Sequence, residues 1–242
     1  MSLRLAASAA FALFASASFA LTLEPLPGST SQVTNVGAFF PVDIGAIVRD
    51  DNGEPLAGVT VHFEVMRWEV GSFPNAGDIT SAVSDANGMA VPNPNMVAGN
   101  SGYSGQVVAS AEGAANTVAY DLAVTGVLPS AMAVLSGQSQ WTRVGQRFPD
   151  PIVVQVFTPN RTPVPYAAVL FYLRPDAVPS GVFDGGSTSL FVKAGPDGVA
   201  RAPGITANFI VGQEKGSASA QSDTDNRDYL QAAQLFKYKL VP

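Results

Sequence analysis

The stretch Val42–Val65, VDIGAIVRDDNGEPLAGVTVHFEV, decides the fold class. Its first part alternates Val42, Ile44, Ala46 and Val48 with Asp43, Gly45 and Ile47, the period of a half-buried strand. Asp50-Asp51-Asn52-Gly53-Glu54-Pro55 then reads as a turn, because Asn-Gly supplies positive φ cheaply and proline fixes the exit. The return segment places Val59, Val61, Phe63 and Val65 on one side and Thr60, His62 and Glu64 on the other. Two amphipathic strands joined by a tight turn are the unit of an antiparallel sheet. Ile79–Ser84, Gln106–Glu112 and Thr117–Thr125 supply further strand patterns, separated by turns at Asp85-Ala86-Asn87-Gly88 and Glu112-Gly113-Ala114-Ala115-Asn116. After the N-terminal apolar run no window carries a convincing helical stripe, so the expectation is all-β.

The same pattern occurs twice. A shift of 108 positions puts Gly37 on Gly145, Phe40 on Phe148, Ile44 on Ile152 and Val48 on Val156. It also puts Asn52 on Asn160, Pro55 on Pro163, Val61 on Val169 and Phe63 on Phe171. After a drift of two, Asp85–Ala90 meets Gly195–Ala200. The period is too long for a solenoid repeat and matches a sandwich domain of about 100 residues. The expected organisation is two tandem antiparallel β-sandwiches, over residues 29–126 and 127–242, with Gly126-Val127-Leu128-Pro129-Ser130 as a short linker. Core positions Val61/Val169 and Phe63/Phe171 should be buried and His62 exposed.

The N-terminus reads as an address. After Arg4 an uncharged run from Leu5 to Leu21 ends in the small-x-small sequence Ser18-Phe19-Ala20, the pattern of a bacterial secretory signal peptide over residues 1–20. A membrane anchor is the competing reading, but seventeen residues rich in Ala and Ser are marginal for spanning the bilayer. No later stretch is apolar enough to span one, so the mature chain is expected to be exported, to the periplasm, cell surface or medium.

Composition narrows function further. Of 242 residues only 13% are charged, the formal net charge is −6, and there are no cysteines and one histidine. An acidic chain is a poor partner for nucleic acid. Without cysteine there are no disulfides, thiolate metal sites or thiol nucleophiles, and a Ser-His-Asp triad would have to use His62. No catalytic, cofactor-binding or metal-binding residues are assigned, and the chain is not expected to be an enzyme. His62 lies between Thr60 and Glu64 on a polar strand face and reads as a solvated side chain. Asp50-Asp51 sits in turn sequence. Asp223-Thr224-Asp225-Asn226-Arg227-Asp228 has alternate carboxylates that suit a hard cation, yet Arg227 stands where an oxygen ligand belongs and no Glu completes the loop, so an acidic solvated turn is the expectation. The Asn160-Arg161-Thr162 sequon carries no information behind a bacterial-style signal. Asp184-Gly185-Gly186 lacks the strand–loop–helix setting of a phosphate cradle.

The run Gly37-x-x-Phe40-x-Val42 … Val48-x-Asp50-x-Asn52-Gly53-x-Pro55-x-x-Gly58-Val59-x-Val61-x-Phe63 … Ser84-Asp85-x-Asn87-Gly88-x-Ala90 … Ala98-Gly99 … Val107-x-Ala109 resembles the bacterial immunoglobulin-like domains of the invasin and intimin group. The resemblance implies stacked Ig-like β-sandwiches in an exported setting, and in that family such domains form rods that carry an adhesive tip. The second copy departs from it, with Arg161 at the turn glycine, Tyr166 at the Gly58 position and Pro203-Gly204 in the Ala-Gly segment. Similar Asn-Gly-x-Pro-x-x-Gly-Val and Asp-x-Asn-Gly patterns occur in carboxypeptidase-regulatory and transthyretin-like sandwiches, which leaves the fold class unchanged.

The expected function is a structural, binding or adhesion-associated module in the envelope or outside the cell, its partner a protein, an envelope component or a second copy. The alternative is a carbohydrate-binding or enzyme-associated sandwich, which would want exposed aromatics; Trp68, Phe73, Tyr103 and Phe183 are the candidates. One surface stands out. The 108 shift replaces outward His62 and Glu64 by Leu170 and Tyr172, making that strand apolar on both sides. Either a loop of the same module, Pro175–Gly186, folds over it, or another copy or an envelope partner docks there.

Overall fold

A computed structural model describes residues 21–126, 128–174, 178–221 and 230–242. The expected signal peptide, Val127 of the linker, Pro175 of the candidate cover loop and the acidic turn 223–228 lie outside the described residues. Apart from one 3₁₀ turn at Trp68–Val70, every regular element among the described residues is a strand.

The first half carries β1 (Thr22–Pro25), β2 (Ser31–Asn35), β3 (Ala46–Arg49), β4 (Thr60–Val65), β5 (Gly71–Ser72), β6 (Ile79–Val83), β7 (Met89–Ala90), β8 (Val97–Ala98), β9 (Ser104–Ala111) and β10 (Val118–Thr125). The second carries β11 (Ala131–Ser136), β12 (Ser139–Arg143), β13 (Val153–Phe157), β14 (Ala168–Tyr172), β15 (Gly181–Phe183), β16 (Ser189–Lys193), β17 (Val199–Arg201), β18 (Ile205–Ala207), β19 (Gly212–Gln221) and β20 (Leu230–Val241). Sheets β1-β3-β7 and β2-β10-β9-β4-β6 in the first half repeat as β11-β13-β17 and β12-β20-β19-β14-β16 in the second, and the small β5-β8 ladder repeats as β15-β18. Each half is an Ig-like β-sandwich.

The two five-stranded sheets each contain one parallel pair, β2 with β10 and β12 with β20, in otherwise antiparallel ladders. The cause is a change of sheet: after β1 pairs with β3, the chain runs on as β2 in the opposite sheet without reversing. Strand β1 also lies ahead of residue 29, the start expected for the first module, so the first sandwich takes in Thr22–Pro25. The stretch 21–28 falls between the expected signal peptide and the expected first module and offers no alternation long enough to mark a strand.

Alternation fixes the cores. Val61, Phe63, Val169 and Phe171 are fully buried and pack in their respective cores, while His62 and Glu64 are exposed. Phe63 stacks obliquely on Phe73 with ring centroids 6.5 Å apart, and Phe171 meets Phe183 edge-on at the same separation. The predicted turn at Asp50 closes as a side-chain-bonded loop: Asp50 Oδ1 accepts the backbone N–H groups of Asn52 and Glu54, each at 2.9 Å. In the second sandwich Arg161 and Tyr166 hold φ of 59° and 58°, the left-handed backbone that Gly53 and Gly58 adopt at 82° in the first. The turn geometry survives loss of the glycines, at a local cost of about 1–2 kcal/mol per residue.

The sandwiches are joined by more than the linker. Ala38 forms an antiparallel bridge with Ala167; the Phe39 N–H donates to the Tyr166 carbonyl at 2.8 Å, and the Ala168 N–H to the Gly37 carbonyl at 3.0 Å. Phe39, Val97 and Ala168 are buried together, with Phe191 packed against them. Lys193 adds a salt bridge to Asp43 at 2.9 Å.

Candidate functional site

Strand β14 presents two rows. Val169 and Phe171 enter the core; Ala168, Leu170 and Tyr172 face the other way. Ala168 is fully buried there because Phe39 and Val97 of the first sandwich lie on it. Leu170 is half-buried and Tyr172 is 40% exposed. Together they border a cleft of about 630 Å³ whose opposite wall is Pro74, Asn75, Asn93 and Pro94 of the first sandwich. Its floor includes Phe191, the cross-strand neighbour of Leu170 on β16.

This arrangement answers what lies beside the strand that is apolar on both sides. The first sandwich covers one end of the outward row and walls the middle, leaving the tyrosine at the open rim. Of the stretch considered as a cover, Gly181–Phe183 pairs with β18 instead, and Phe183 is buried in the core. In the first sandwich the equivalent outward row, Thr60, His62 and Glu64, is exposed throughout.

The remaining candidates separate cleanly. Asp50 and Asp85 act inside turns. The Asp50 carboxyl is held below its ordinary value chiefly by the Glu54 N–H, and that of Asp85 by the N–H groups of Met89 and Asn87. Gly185 and Gly186 close the turn after β15 with φ of 98° and 85°. Asn160 is exposed in the turn after β13. Among the described residues no group of three or more His, Asp and Glu side chains could hold a metal ion. Of the four candidate aromatics, Phe73 and Phe183 are core residues, whereas Trp68 is 53% and Tyr103 37% exposed. The Arg67 guanidinium lies 5.1 Å from the Tyr103 ring centre.

Two features escape a strand-by-strand reading. Phe39 has no local sign of its role, although its partner under the 108 shift is Arg147, and that contrast marks a position where the copies differ. Trp141, 67% exposed, shares a sheet face with Lys215, Lys237 and Lys239. The alternation Lys237-Tyr238-Lys239 in a chain with four lysines was its available signal.

The geometry defines a tandem Ig-like β-sandwich protein with a composite cleft. No protein-family model matches the chain, and no curated protein matches it. Among solved structures, it is similar to the Escherichia coli adhesin FdeC, with 11% identity, 92% of this chain covered and a TM-score of 0.33. It is similar also to the Yersinia pseudotuberculosis adhesin InvE, at 14% identity, 92% coverage and 0.34. Invasin, a bacterial integrin-binding protein, matches at 16% identity, 91% coverage and 0.30. The chain spans 64%, 58% and 39% of those three structures. At such identities the likeness is one of fold.

Proposed function

We propose that the chain is an exported, non-catalytic module that acts in adhesion at the cell envelope or outside the cell, taking a protein or envelope partner at the Leu170–Tyr172 cleft. The observation that supports this is the composite cleft itself. Two sandwiches contribute one wall each, and the backbone bridge at Ala38–Ala167 fixes their separation. A preformed concave site with a tyrosine at its rim suits protein recognition, since tyrosine offers apolar area and a hydroxyl together. The Ig-like sandwich framework and a leader over residues 1–20 fit display outside the cytoplasm. No helix among the described residues is long and apolar enough to cross a membrane.

The test is Leu170→Thr with Tyr172→Glu, which copies polar chemistry of the kind that the first sandwich carries on its equivalent strand. Protein-coated beads are scored for attachment to cells and envelope fractions of the source organism, and each variant is melted. Retained melting temperature with lost attachment supports the reading. Unchanged attachment overturns it, and so does a marked fall in melting temperature with attachment retained, which assigns the two residues to packing.

A further inference from the structure

The fold makes the same shallow depression in both sandwiches, on the outer face of the five-stranded sheet. In the first it is lined by residues 31–33, 104–106 and 121–123; in the second by 139–141, 213–215 and 237–239. The ladders make these sets equivalent position by position. Ser31 pairs with Asp121 as Ser139 pairs with Lys237, and Val33 with Ala123 as Trp141 with Lys239. Gln106 opposes Asp121 as Lys215 opposes Lys237. The repeat is therefore an internal control that separates what the fold requires from what has been added.

What has been added is charge and an indole. In the first sandwich Gln106 donates to Asp121 at 2.7 Å, a self-contained neutral–anionic pair beside Val33 and Ala123. In the second, those positions hold Lys215, Lys237, Trp141 and Lys239, three of the four lysines of a chain with net charge −6. Lys215 and Lys237 are direct antiparallel partners, so their Cα atoms lie about 4.5–5.5 Å apart and their like charges oppose sheet formation. Among the described residues none of the three lysines forms a salt bridge. The neighbouring carboxylate, Glu214, is engaged by Arg174 at 2.9 Å and by the Lys215 N–H at 3.0 Å. Trp141 is 67% exposed on this flat face, where packing gains little from it. Val33, the twin of Trp141, is 57% exposed as well, so the contrast lies in the larger indole and in the opposed lysines, where the twin face pairs Gln106 with Asp121. A face that breaks the charge rule its twin keeps marks a surface selected for something other than folding.

We propose that this face of the second sandwich binds an acidic polysaccharide, with a sugar ring on the Trp141 indole and carboxylates on the lysines. The complementarity is of two kinds. Ammonium groups that form no salt bridge among the described residues select an anion even on an acidic protein, and an open indole on a sheet offers its apolar face to the C–H face of a pyranose. The groups stand on the adjacent strands β12, β20 and β19, about 4.8 Å apart, a spacing similar to the advance of one sugar unit in an extended polyuronide crossing the strands. This goes beyond the adhesion reading and does not rest on the Leu170–Tyr172 cleft, which uses β14 and β16.

The experiment measures binding of the full mature chain to polygalacturonate by calorimetry at low and high salt, with pullulan and poly-L-glutamate as neutral and ring-free acidic comparators. The variants restore the first sandwich: Lys215→Gln with Lys237→Asp, and separately Trp141→Val. Because each substitution copies a residue that the same fold position already accepts, both variants should stay folded, and the lysine variant should melt at or above the wild type because an opposed like-charge pair is removed. Expected are salt-weakened binding to polygalacturonate, little to pullulan, and a loss of roughly ten-fold or more in each variant. No binding of the wild type to polygalacturonate at low salt overturns the proposal. So does equal binding to poly-L-glutamate, or indifference to Trp141→Val, either of which would reduce the face to a general polyanion patch. Salt-sensitive self-association in sedimentation, lost in the lysine variant, would assign the face to acidic turns of a second copy and overturn it as well.

Discussion

The ammonium of Lys193 donates to an Asp43 carboxylate oxygen at 2.9 Å, tying the edge strand of the second sandwich to the first. The same ammonium donates to the Pro41 carbonyl at 2.9 Å and lies 5.7 Å from the centre of the Tyr166 ring. Beneath it, Phe39 and Val97 bury Ala168. The polar contacts orient the joint; the apolar cluster and two backbone hydrogen bonds supply its strength.

Lys193→Met is therefore expected to cost little, about 1 kcal/mol or less, because the pair is partly exposed and screened by salt. Phe39→Asp should do more at the joint, since it buries a charge beside Ala168. Spin labels, one on each sandwich, check this: the distance distribution stays narrow in Lys193→Met and broadens in Phe39→Asp. A broad distribution in the wild type would mean the joint is not rigid.

Arg161 and Tyr166 occupy left-handed backbone that glycine holds in the first sandwich, but their neighbours differ. Arg161 is exposed in its turn, whereas the Tyr166 carbonyl accepts the Phe39 N–H in the joint. Arg161→Gly should raise stability by about 0.5–1 kcal/mol through relief of φ strain, net of the entropy that glycine adds to the unfolded chain. Tyr166→Gly should relieve the same strain yet loosen the joint, seen as faster amide exchange at Phe39. Equal behaviour of the two variants would show that the strain at Tyr166 serves nothing.

The contrast between what was legible and what was not follows from the range of the forces. Val59–Val65 announces its strand because burial alternates residue by residue, and Val61, Phe63 and exposed His62 sit as the pattern requires. The repeat was legible for the same reason, since equivalent core positions keep equivalent residues. Strand β1 was not, because four residues directly after the apolar run Leu5–Leu21 carry too little alternation. Phe39 and Ala168 were not either: each is unremarkable in its own segment and acquires meaning only when two sandwiches meet. Leu170 and Tyr172 were visible as an anomaly, but the residues facing them, Asn93 and Pro94, are distant in sequence. Trp141 and its lysines lie on three strands that only the ladder order brings side by side.

Tyr120 tests the value of one buried polar contact. Its ring is fully buried and its hydroxyl donates to the Gly45 carbonyl at 2.7 Å, while burial pushes the phenol pKa up. Tyr120→Phe keeps the ring and removes this donor, while the Leu26 N–H still serves the Gly45 carbonyl at 3.1 Å, so a loss of about 0.5–1.5 kcal/mol is expected in urea unfolding. A neutral result would mean that the Leu26 N–H alone satisfies the Gly45 carbonyl.

Acid sensitivity should trace to the two turns. Asp50 accepts backbone N–H groups from Asn52 and Glu54, and Asp85 from Asn87 at 2.8 Å and Met89 at 2.9 Å. These bonds favour the charged carboxylates, so both folded-state values lie below the ordinary 3.8. A depressed value means the stabilisation is fully present above the unfolded-state value and is lost as pH falls through the folded one. The wild type should hold its urea midpoint from pH 7 to 5 with respect to these groups and lose part of it below about 3.8, where ordinary aspartates begin to protonate. Asp50→Asn with Asp85→Asn keeps a neutral acceptor in each turn but removes the charge. Its midpoint should be lower than wild type at pH 7, and the gap should close as the pH drops to 2. A gap that stays constant across the series would show that the turns use these side chains as neutral acceptors, and that the acid sensitivity resides elsewhere.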